Sequence, residues 1–268
     1  MRVERRGHVA EVILRGPGKG NAMGPDFWRE MPIVFRAFDA EPEVRAVVVY
    51  GDGPHLTYGL DVAAMMADLG SALGGAAQLA GARTRLLETI ARLQGSFDAV
   101  AACRKPVIAA LHGWCIGGGL DLAAACDVRL CSADTRISLR EVKLAIVADL
   151  GSLQRLPPII GQGHTRELAY TGKNVDSDWA LRTGLVNEVL PDKDALLVRA
   201  RALADEIAAN PPLVVQGIKQ VMGFTADPPV AEGLRFVAAW NSAFLQSADL
   251  MEAVSAMMSK RTPVFRGE

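Results

Sequence analysis

The sequence predicts an α/β protein in which buried strands alternate with helices. Two short apolar runs, at residues 44–50 and 106–111, are rich in Val, Ile and Ala, and such runs are typical of parallel strands buried on both faces. A glycine-containing turn follows each run, and a helical segment follows the second turn. The length of 268 residues and the hydrophobic fraction of 50% suffice for one large domain with a sizeable core.

The other elements are predicted from periodicity and from turn residues. Alternation of apolar and polar residues predicts a strand at 8–15, and helical spacing after Pro25, a residue suited to a first turn, predicts a helix at 25–40. Helical periodicity also covers 76–104, whereas the Ala-, Met- and Gly-rich segment at 63–75 predicts no definite shape. The remaining elements predicted in this part of the chain are a helix at about 120–125 and a short strand at 128–131.

The pattern changes near residue 192. Helical segments follow, and the breaks between them are Asn210-Pro-Pro and Asp227-Pro-Pro. Because no repeat or low-complexity linker separates this part from the rest, we divide the chain into a core at 1–191 and a helical region at 192–268 that is an appendage to it. The predicted helices of this region lie at 192–209, 212–222 and 229–258.

Composition excludes several classes of function. The net charge is −1 and no long run of one sign occurs, which argues against nucleic acid as the main partner. No apolar stretch is long enough to predict a membrane span, and the charged N-terminus lacks the apolar core of a signal peptide. The histidines are scattered and no CxxC or HExxH motif occurs, so we expect no metal site, reduced thiols and a cytoplasmic location. The cysteines are Cys103, Cys115, Cys126 and Cys131.

Two glycine-bearing turns suggest a site for a developing negative charge. Gly59-Leu60-Asp61 and Gly117-Gly118-Gly119 each come after a predicted buried strand, and the second turn also opens a helix. Glycines let the backbone approach a ligand closely, so two such turns side by side could direct two N–H groups at one oxygen, as in an oxyanion hole. The alternative, a tight turn that only lets helix and strand pack closely, stays equally open at this point. The spacing matches neither a GxGxxG dinucleotide motif nor a P-loop.

Three carboxylates stand out by position. Asp121 follows the second turn directly, Glu141 lies between Arg140 and Lys143, and Asp149 lies in an apolar stretch. A carboxylate among apolar side chains is costly to bury unless it has a partner or a raised pKa. Each also has a structural alternative: Asp149 as the N-cap of the following helix, Asp121 as an acid near a helix N-terminus, and Glu141 as a solvated charge.

The string HGWCIGGGLDLAAACDV at 112–128 resembles the signature of the enoyl-CoA hydratase/isomerase (crotonase) superfamily. The resemblance implies an α/β fold of the ClpP/crotonase-like class, with a ββα spiral core at 1–191 and a C-terminal helical region at 192–268 that mediates trimerisation and completes the CoA site. It implies an acyl-CoA thioester as substrate, no cofactor beyond the coenzyme A of that substrate, and homotrimers or homohexamers built as dimers of trimers. Further segments that resemble the family are 20–23, 57–61, 171–189 and 259–265.

The resemblance also assigns site residues. The oxyanion hole is expected from the backbone N–H groups of Leu60 and Gly118. Leu56 and Tyr58 depart from the family, which has Phe and a small residue there, so the large Tyr58 ring is expected to alter the acyl pocket. The positions expected to contact the substrate or its CoA moiety are Asn21, Ala22, Tyr58, Gly59, Gly117 and Lys260.

The spacing of the three acids favours one branch of the superfamily. Glu141 follows Asp121 by 20 residues and precedes Asp149 by 8, and this pattern is similar to that of the Δ3,5-Δ2,4-dienoyl-CoA isomerases of fatty-acid β-oxidation. By that resemblance Glu141 takes the C2 proton, Asp149 donates a proton at C6, and Asp121 supports the site. An enoyl-CoA hydratase is the runner-up, with two carboxylates holding one water, and a non-catalytic acyl-CoA-binding protein is the third hypothesis.

Overall fold

The computed structural model describes residues 1–16, 20–65, 80–224 and 247–267. Its strands form a six-stranded sheet, in the order β1-β2-β3-β4-β6-β9, and a three-stranded sheet, in the order β5-β7-β8. The strands are β1 (Arg2–Arg6), β2 (Val9–Leu14), β3 (Ala46–Gly51), β4 (Val107–Leu111), β5 (Trp114–Ile116), β6 (Val128–Ser132), β7 (Arg136–Ser138), β8 (Val175–Asp176) and β9 (Glu188–Leu190).

Helices lie on both faces of the larger sheet. A 3₁₀ turn, Glu141–Leu144, precedes α4, and α4 is kinked at Gly161, which has a φ of 79°. The α-helices are α1 (Pro25–Ala40), α2 (Ala80–Ala102), α3 (Gly118–Ala125), α4 (Ser152–Thr171), α5 (Ser177–Arg182), α6 (Lys193–Ala208), α7 (Pro212–Phe224) and α8 (Ala248–Ser259).

The larger sheet is parallel from β2 to β9, and β1 is added antiparallel at its edge. All residues of β2, β3 and β4 are buried, as expected for parallel strands that helices cover on both faces. Side chains of α1 to α4 form the larger core on one face, where the rings of Trp28 and Phe97 meet edge to face at 5.5 Å. Leu196 and Ala200 of α6 pack on the opposite face.

The smaller sheet fixes the entry to α3. Strand β5 follows β4 after a turn at Gly113, and its Cys115 is bridged to Thr57 in the segment after β3. Chain segments that leave the ends of β3 and β4 therefore meet, and α3 begins at this meeting point. In parallel sheets the carboxyl ends of strands are the usual place for a site.

Several predicted elements match the structure closely. The helix predicted at 25–40 has those bounds, and the strand predicted at 8–15 extends from Val9 to Leu14. The helix predicted at 76–104 is described over Ala80–Ala102. The helix predicted at 229–258 is described only from Ala248 to Ser259, and most of the 63–75 segment lies outside the described residues. None of the described helices is long and apolar enough to cross a membrane.

Candidate active site

The first glycine turn is held by Thr57. The buried Thr57 hydroxyl donates to the backbone oxygen of Asn21 at 2.8 Å and accepts from the N–H of Gly59 at 3.0 Å. Gly59 has a φ of 82°, and a β-carbon there would lie 2.6 Å from the carbonyl oxygen of Ile116. Both the positive φ and the close backbone approach require glycine at this position.

The second glycine turn lies against the first. Gly117, with a φ of 52°, donates its N–H to the Ser138 carbonyl at 2.9 Å, and Gly118 starts α3. A β-carbon on Gly59 would be 3.1 Å from the nitrogen of Gly118, and one on Gly118 would be 3.9 Å from the nitrogen of Leu60. The two backbone nitrogens predicted for an oxyanion hole are therefore neighbours.

The hydrogen bonds around these nitrogens leave both of them available. The N–H of Gly59 donates to Thr57, and that of Asp61 donates to the Met23 carbonyl at 3.1 Å. Between them, the N–H of Leu60 has no acceptor within the described part of the chain, and neither has that of Gly118. Two adjacent unused donors at a helix N-terminus suit an oxygen that gains negative charge.

Asp121, in the first turn of α3, is completely buried. One of its oxygens, Oδ1, accepts both the N–H and the hydroxyl of Ser152, at 2.7 and 2.6 Å. The other, Oδ2, is buried and has no partner among the described residues. Burial raises the pKa of Asp121 to about 6, and the charge of Asp149 adds to the rise, whereas the two bonds from Ser152 oppose it. Asp121 thus caps α4, a helix that begins 31 residues later in the chain.

The Glu141 carboxylate faces the second glycine turn. Its Oε1 lies 3.0 Å from the point that a β-carbon on Gly117 would occupy, and its Oε2 is buried without a partner in the described ranges. Burial, followed by the charges of Asp121 and Asp149, raises the pKa of Glu141 to about 7. The alternative of a solvated charge is wrong, because the carboxylate is turned inward while the neighbouring Arg140 bonds Asn174 at 2.9 Å.

Asp149 is half-buried in the loop before α4. Burial raises the pKa of its carboxyl, and its charge acts on both Asp121 and Glu141. The alternative of a helix cap is wrong, because α4 begins at Ser152 and its N-cap position is Gly151, without a side-chain cap. The side-chain amide of Gln94 donates to the backbone oxygen of Asp149 at 2.6 Å and fixes the loop. Asp149 also lines a cavity of about 530 Å³.

Asn21, predicted to contact CoA, holds loops together through its side chain. It has a φ of 46°, and its amide nitrogen donates to the carbonyls of Asp52 and His55 at 2.6 and 2.9 Å. Its side-chain oxygen accepts from the N–H of Gly16 at 3.3 Å. Asn21 and Ala22 line a cavity of about 380 Å³, so a ligand in that cavity could contact both residues.

Tyr58 and Lys260 lie apart from the carboxylates. The exposed Tyr58 ring covers Gly20 and stacks on His55 at a centroid distance of 5.0 Å. It therefore shapes the surface near the first glycine turn. Lys260 is exposed at the C-terminal end of α8, in a left-handed conformation. Among the described residues, no contact joins Lys260 to the other predicted site residues, and its predicted contact with CoA stays a prediction.

The sequence did not identify Ser152 and Gln94 as neighbours of the acids, or Met23 as a neighbour of the second glycine turn. Ser152 and Gln94 hold the acids through the bonds described above, and the side chain of Met23 lies against Gly118, 3.1 Å from its β-carbon position. Serine after a glycine at a helix start is a typical capping signal, but here Ser152 is the donor and its acceptor lies in another helix. Within the described ranges, no group of three or more His, Cys, Asp or Glu residues could hold a metal ion.

Comparisons with known proteins identify relatives that cover almost the whole chain. The sequence model of the family described as enoyl-CoA hydratase/isomerase matches residues 4–268. A Dictyostelium discoideum protein named mitochondrial Delta(3,5)-Delta(2,4)-dienoyl-CoA isomerase is 43% identical over 260 residues, which are 96% of this chain and 87% of that protein. An Arabidopsis thaliana protein named peroxisomal Delta(3,5)-Delta(2,4)-dienoyl-CoA isomerase is 41% identical over 261 residues, with coverage of 96% and 92%.

These names contradict the cytoplasmic location predicted from the sequence, because the first relative is called mitochondrial and the second peroxisomal. That prediction was wrong for a physical reason. Four free cysteines exclude only compartments where disulfides form, and they do not distinguish the cytosol from other reducing compartments.

Solved structures confirm the predicted fold. The crystal structure of an enoyl-CoA hydratase from Bacillus anthracis has a TM-score of 0.89 and 27% identity, and the match covers 100% of this chain and 99% of that one. Sequence and structure therefore agree over the full length, and the chain belongs to the enoyl-CoA hydratase/isomerase family.

Proposed function

We propose that the protein is an isomerase that converts 3,5-dienoyl-CoA into 2,4-dienoyl-CoA. The observation that carries the proposal is the pair of unused backbone donors beside the Glu141 carboxylate, with Asp121 in the first turn of α3 and Asp149 in the loop before α4. Relatives named Delta(3,5)-Delta(2,4)-dienoyl-CoA isomerase support it. The reaction shifts two conjugated double bonds, so a proton leaves C2 and another is added at C6.

The first step is removal of the C2 proton. The N–H groups of Leu60 and Gly118 bind the thioester oxygen, and the negative charge that forms there as C2 loses its proton is stabilised by both donors. Glu141 accepts this proton, because its carboxylate lies next to the turn that carries Gly118. A base whose pKa is about 7 is well matched to proton transfer near neutral pH.

The second step is protonation at C6. The charge of the enolate extends through the double bonds to C6, several bonds away from C2, so a second acid is needed. We assign this role to Asp149, because burial raises the pKa of its carboxyl and favours its protonated form. Each turnover leaves Glu141 protonated and Asp149 ionised, and exchange with solvent restores both. Asp121 stays in place as a charged support.

The proposed substrate also implies which residues contact CoA and in which pathway the enzyme acts. Coenzyme A is part of the substrate, and no separate cofactor takes part. The CoA moiety contacts the loop of Asn21 and Ala22 and the backbone of Tyr58, Gly59 and Gly117. Its phosphates contact Lys260. The pathway is fatty-acid β-oxidation. A binding titration with free CoA checks the contact between Lys260 and the CoA phosphates. If that contact exists, Lys260→Ala weakens the binding of CoA.

The quaternary structure proposed is a trimer, alone or paired into a hexamer, through the helical region at 192–268. Apolar side chains on α7 and α8 support it, because Ile218 of α7 and Met251 and Met258 of α8 are exposed. Exposed apolar side chains mark an interaction site where they form one patch. Light scattering of the purified protein measures the mass, and a monomer at micromolar concentration contradicts the proposal.

Hydration of a 2-enoyl-CoA is the second candidate function. It is favoured by one observation: Asp121 Oδ2 and Glu141 Oε2 are both buried and both without a partner in the described part of the chain. Two such oxygens suit a water molecule held between them. Asp149 has no part in that reaction, and this separates the two candidates.

A panel of 3,5-dienoyl-CoA and trans-2-enoyl-CoA substrates tests the proposal. We expect the wild type to form the conjugated 2,4-diene, followed by its ultraviolet absorbance, and we expect Asp149→Asn to lower that rate about 100-fold. Fast hydration that Asp149→Asn leaves unchanged contradicts the isomerase and supports the hydratase. Binding of acyl-CoA without turnover of any substrate identifies a non-catalytic protein.

A further inference from the structure

We propose that Ser152 is a positioning residue that keeps Asp121 ionised beside Glu141, and that the resulting charge gives Glu141 the basicity it needs to remove the C2 proton. The inference rests on the proposed function in one respect, namely that Glu141 is the base. It assigns a role to a serine that touches neither the glycine turns nor the site of the thioester oxygen.

The geometry around Ser152 is that of a clamp on a single oxygen. Its N–H and its hydroxyl both donate to Asp121 Oδ1, at 2.7 and 2.6 Å, and both residues are completely buried. Hydrogen bonds to an ionised acceptor are short and strong. The N-terminus of α4, a 20-residue helix, adds its partial positive charge to the same oxygen. These contacts stabilise the anion of Asp121 in a site that otherwise disfavours charge.

The two bonds from Ser152 to Oδ1 also fix the position of the other Asp121 oxygen, Oδ2. With Oδ1 fixed by two donors, Asp121 cannot rotate to offer both oxygens to the site, and Oδ2 stays buried without a partner among the described residues. The charge of Asp121 is therefore held in one place. Asp121 donates its N–H to the Gly117 carbonyl at 3.1 Å, and Glu141 Oε1 lies 3.0 Å from the β-carbon position of the same Gly117. After burial, the charge of Asp121 contributes most to raising the pKa of Glu141 to about 7.

The other charged and titratable groups that act on this pair lie in the loop before α4, in α4 and in β5. The charge of Asp149, in the loop before α4, raises the pKa of both Asp121 and Glu141. Arg155 in the first turn of α4 lowers the pKa of Asp121, but it is also paired with Asp98. The charge of Asp121 raises the pKa of the buried Cys115 thiol of β5 well above its usual range, after burial, so this group stays neutral.

Because neighbouring like charges disfavour each other, we expect Asp121 and Glu141 to titrate as a coupled pair. When one proton is bound to the pair, the Ser152 clamp places it on Glu141, because the anion of Asp121 is the better stabilised of the two. Without the serine hydroxyl the proton moves towards Asp121. Glu141 then loses the neighbouring charge, so its pKa falls and it becomes a weaker base.

Kinetics as a function of pH test this chain of effects. We expect Ser152→Ala to move the acid limb of the kcat/KM profile to lower pH and to reduce the plateau kcat about tenfold, since a weaker base removes the proton more slowly. Asp121→Asn, which removes the charge itself, shifts the limb in the same direction. Ser152→Ala adds no further shift in the Asp121→Asn background. Ser152→Thr, which keeps the hydroxyl, restores the limb.

An unchanged acid limb in Ser152→Ala overturns the inference, and so does an equal shift of the limb when Asp121 is already Asn. Thermal melting checks that each variant is folded, and Ser152→Cys, of similar volume but a weak donor, replaces Ser152→Ala if that variant does not fold. If the wild type does not isomerise dienoyl-CoA, the proposed function fails separately. The carboxyl ¹³C signal of Glu141, identified with Glu141→Gln, then decides: a lower titration midpoint in Ser152→Ala supports the inference and an unchanged one overturns it.

Discussion

Glu141 Oε1 lies 3.0 Å from the place where a β-carbon on Gly117 would be. This close approach joins the second glycine turn to the proposed base, since any side chain at Gly117 displaces the carboxylate. The same turn supplies the N–H of Gly118 and the start of α3. One backbone feature therefore sets the distance between the thioester oxygen, where charge develops, and the group that removes the C2 proton.

We predict that Gly117→Ala lowers kcat about 100-fold, because it moves Glu141 away from the substrate. The φ of 52° at Gly117 also makes the variant less stable, by about 1–3 kcal/mol. Gly7→Ala is the matched control: its φ is 59°, but its β-carbon would meet nothing within 4 Å. Steady-state kinetics and thermal melting of both variants separate strain from displacement. Equal kcat in the two variants contradicts the assignment of Glu141.

Glu141→Gln keeps the shape of the side chain and removes its basicity. We expect kcat to fall about 1,000-fold, since general base catalysis contributes about 10²–10⁴. Glu167→Gln is the control, because Glu167 is an exposed carboxylate paired with Lys173. A Glu141→Gln variant that retains more than about a tenth of the activity shows that another group takes the C2 proton.

Although Glu141→Gln should lower the activity, it should stabilise the folded protein at alkaline pH. Burial raises the pKa of Glu141 from its ordinary value of 4.5 to about 7 in the folded protein. The group therefore favours folding below pH 4.5, and this contribution is lost as the pH rises through about 7. We expect Glu141→Gln to raise the Tm by about 2–4 °C at alkaline pH. Calorimetry near pH 5 should show little difference from the wild type, and a lowered Tm at both pH values contradicts the burial of the charge.

Activity in turn should be lost on the acid side. Glu141 must be ionised to act as the base, so kcat/KM falls as the pH drops below about 7. Asp149 must be protonated to act as the acid, and burial raises its pKa. Activity therefore also falls as the pH rises through the raised pKa of that carboxyl. A bell-shaped profile is expected from steady-state rates between about pH 5 and 9. Asp149→Asn removes the alkaline limb, and a limb that survives in this variant belongs to another group.

The central strands could be predicted from the sequence because burial leaves a local pattern. The apolar runs of β3 and β4 and the glycine turns that follow them are visible without any knowledge of contacts. Strand β1, with exposed residues from Arg2 to Arg6, has no such pattern, because an edge strand pairs through its backbone alone. It was therefore missed.

The site could be predicted only where its chemistry is local. The position of Asp121 after the glycine turn is local, but its bond to Ser152 joins residues 31 apart and depends on how α3 packs against α4. The orientation of Glu141 likewise follows from tertiary packing, because flanking Arg140 and Lys143 make the segment resemble solvated surface. The resemblance to a known family supplied what local pattern could not.

A buried ion pair on the opposite side of the sheet should matter for stability and not for catalysis. Glu11 of β2 is buried and accepts two hydrogen bonds from Arg201 of α6, both at 2.8 Å, and one from the Tyr50 hydroxyl at 2.9 Å. Arg201→Ala leaves this carboxylate with the Tyr50 hydroxyl and the more distant Arg6, 3.9 Å away, and Arg201 is itself 36% exposed. We therefore expect a loss of about 1.5–3 kcal/mol in the free energy of unfolding and an unchanged kcat. Arg199→Ala is the control, because it breaks the exposed pair with Glu188, at 2.9 Å, and should cost at most about 1 kcal/mol. Urea unfolding of the two variants measures the difference. Equal losses of unfolding free energy in the two variants would mean that the Glu11 site is hydrated. A larger loss for Arg201→Ala shows that the bond to the buried Glu11 carboxylate stabilises the packing of α6 on the sheet.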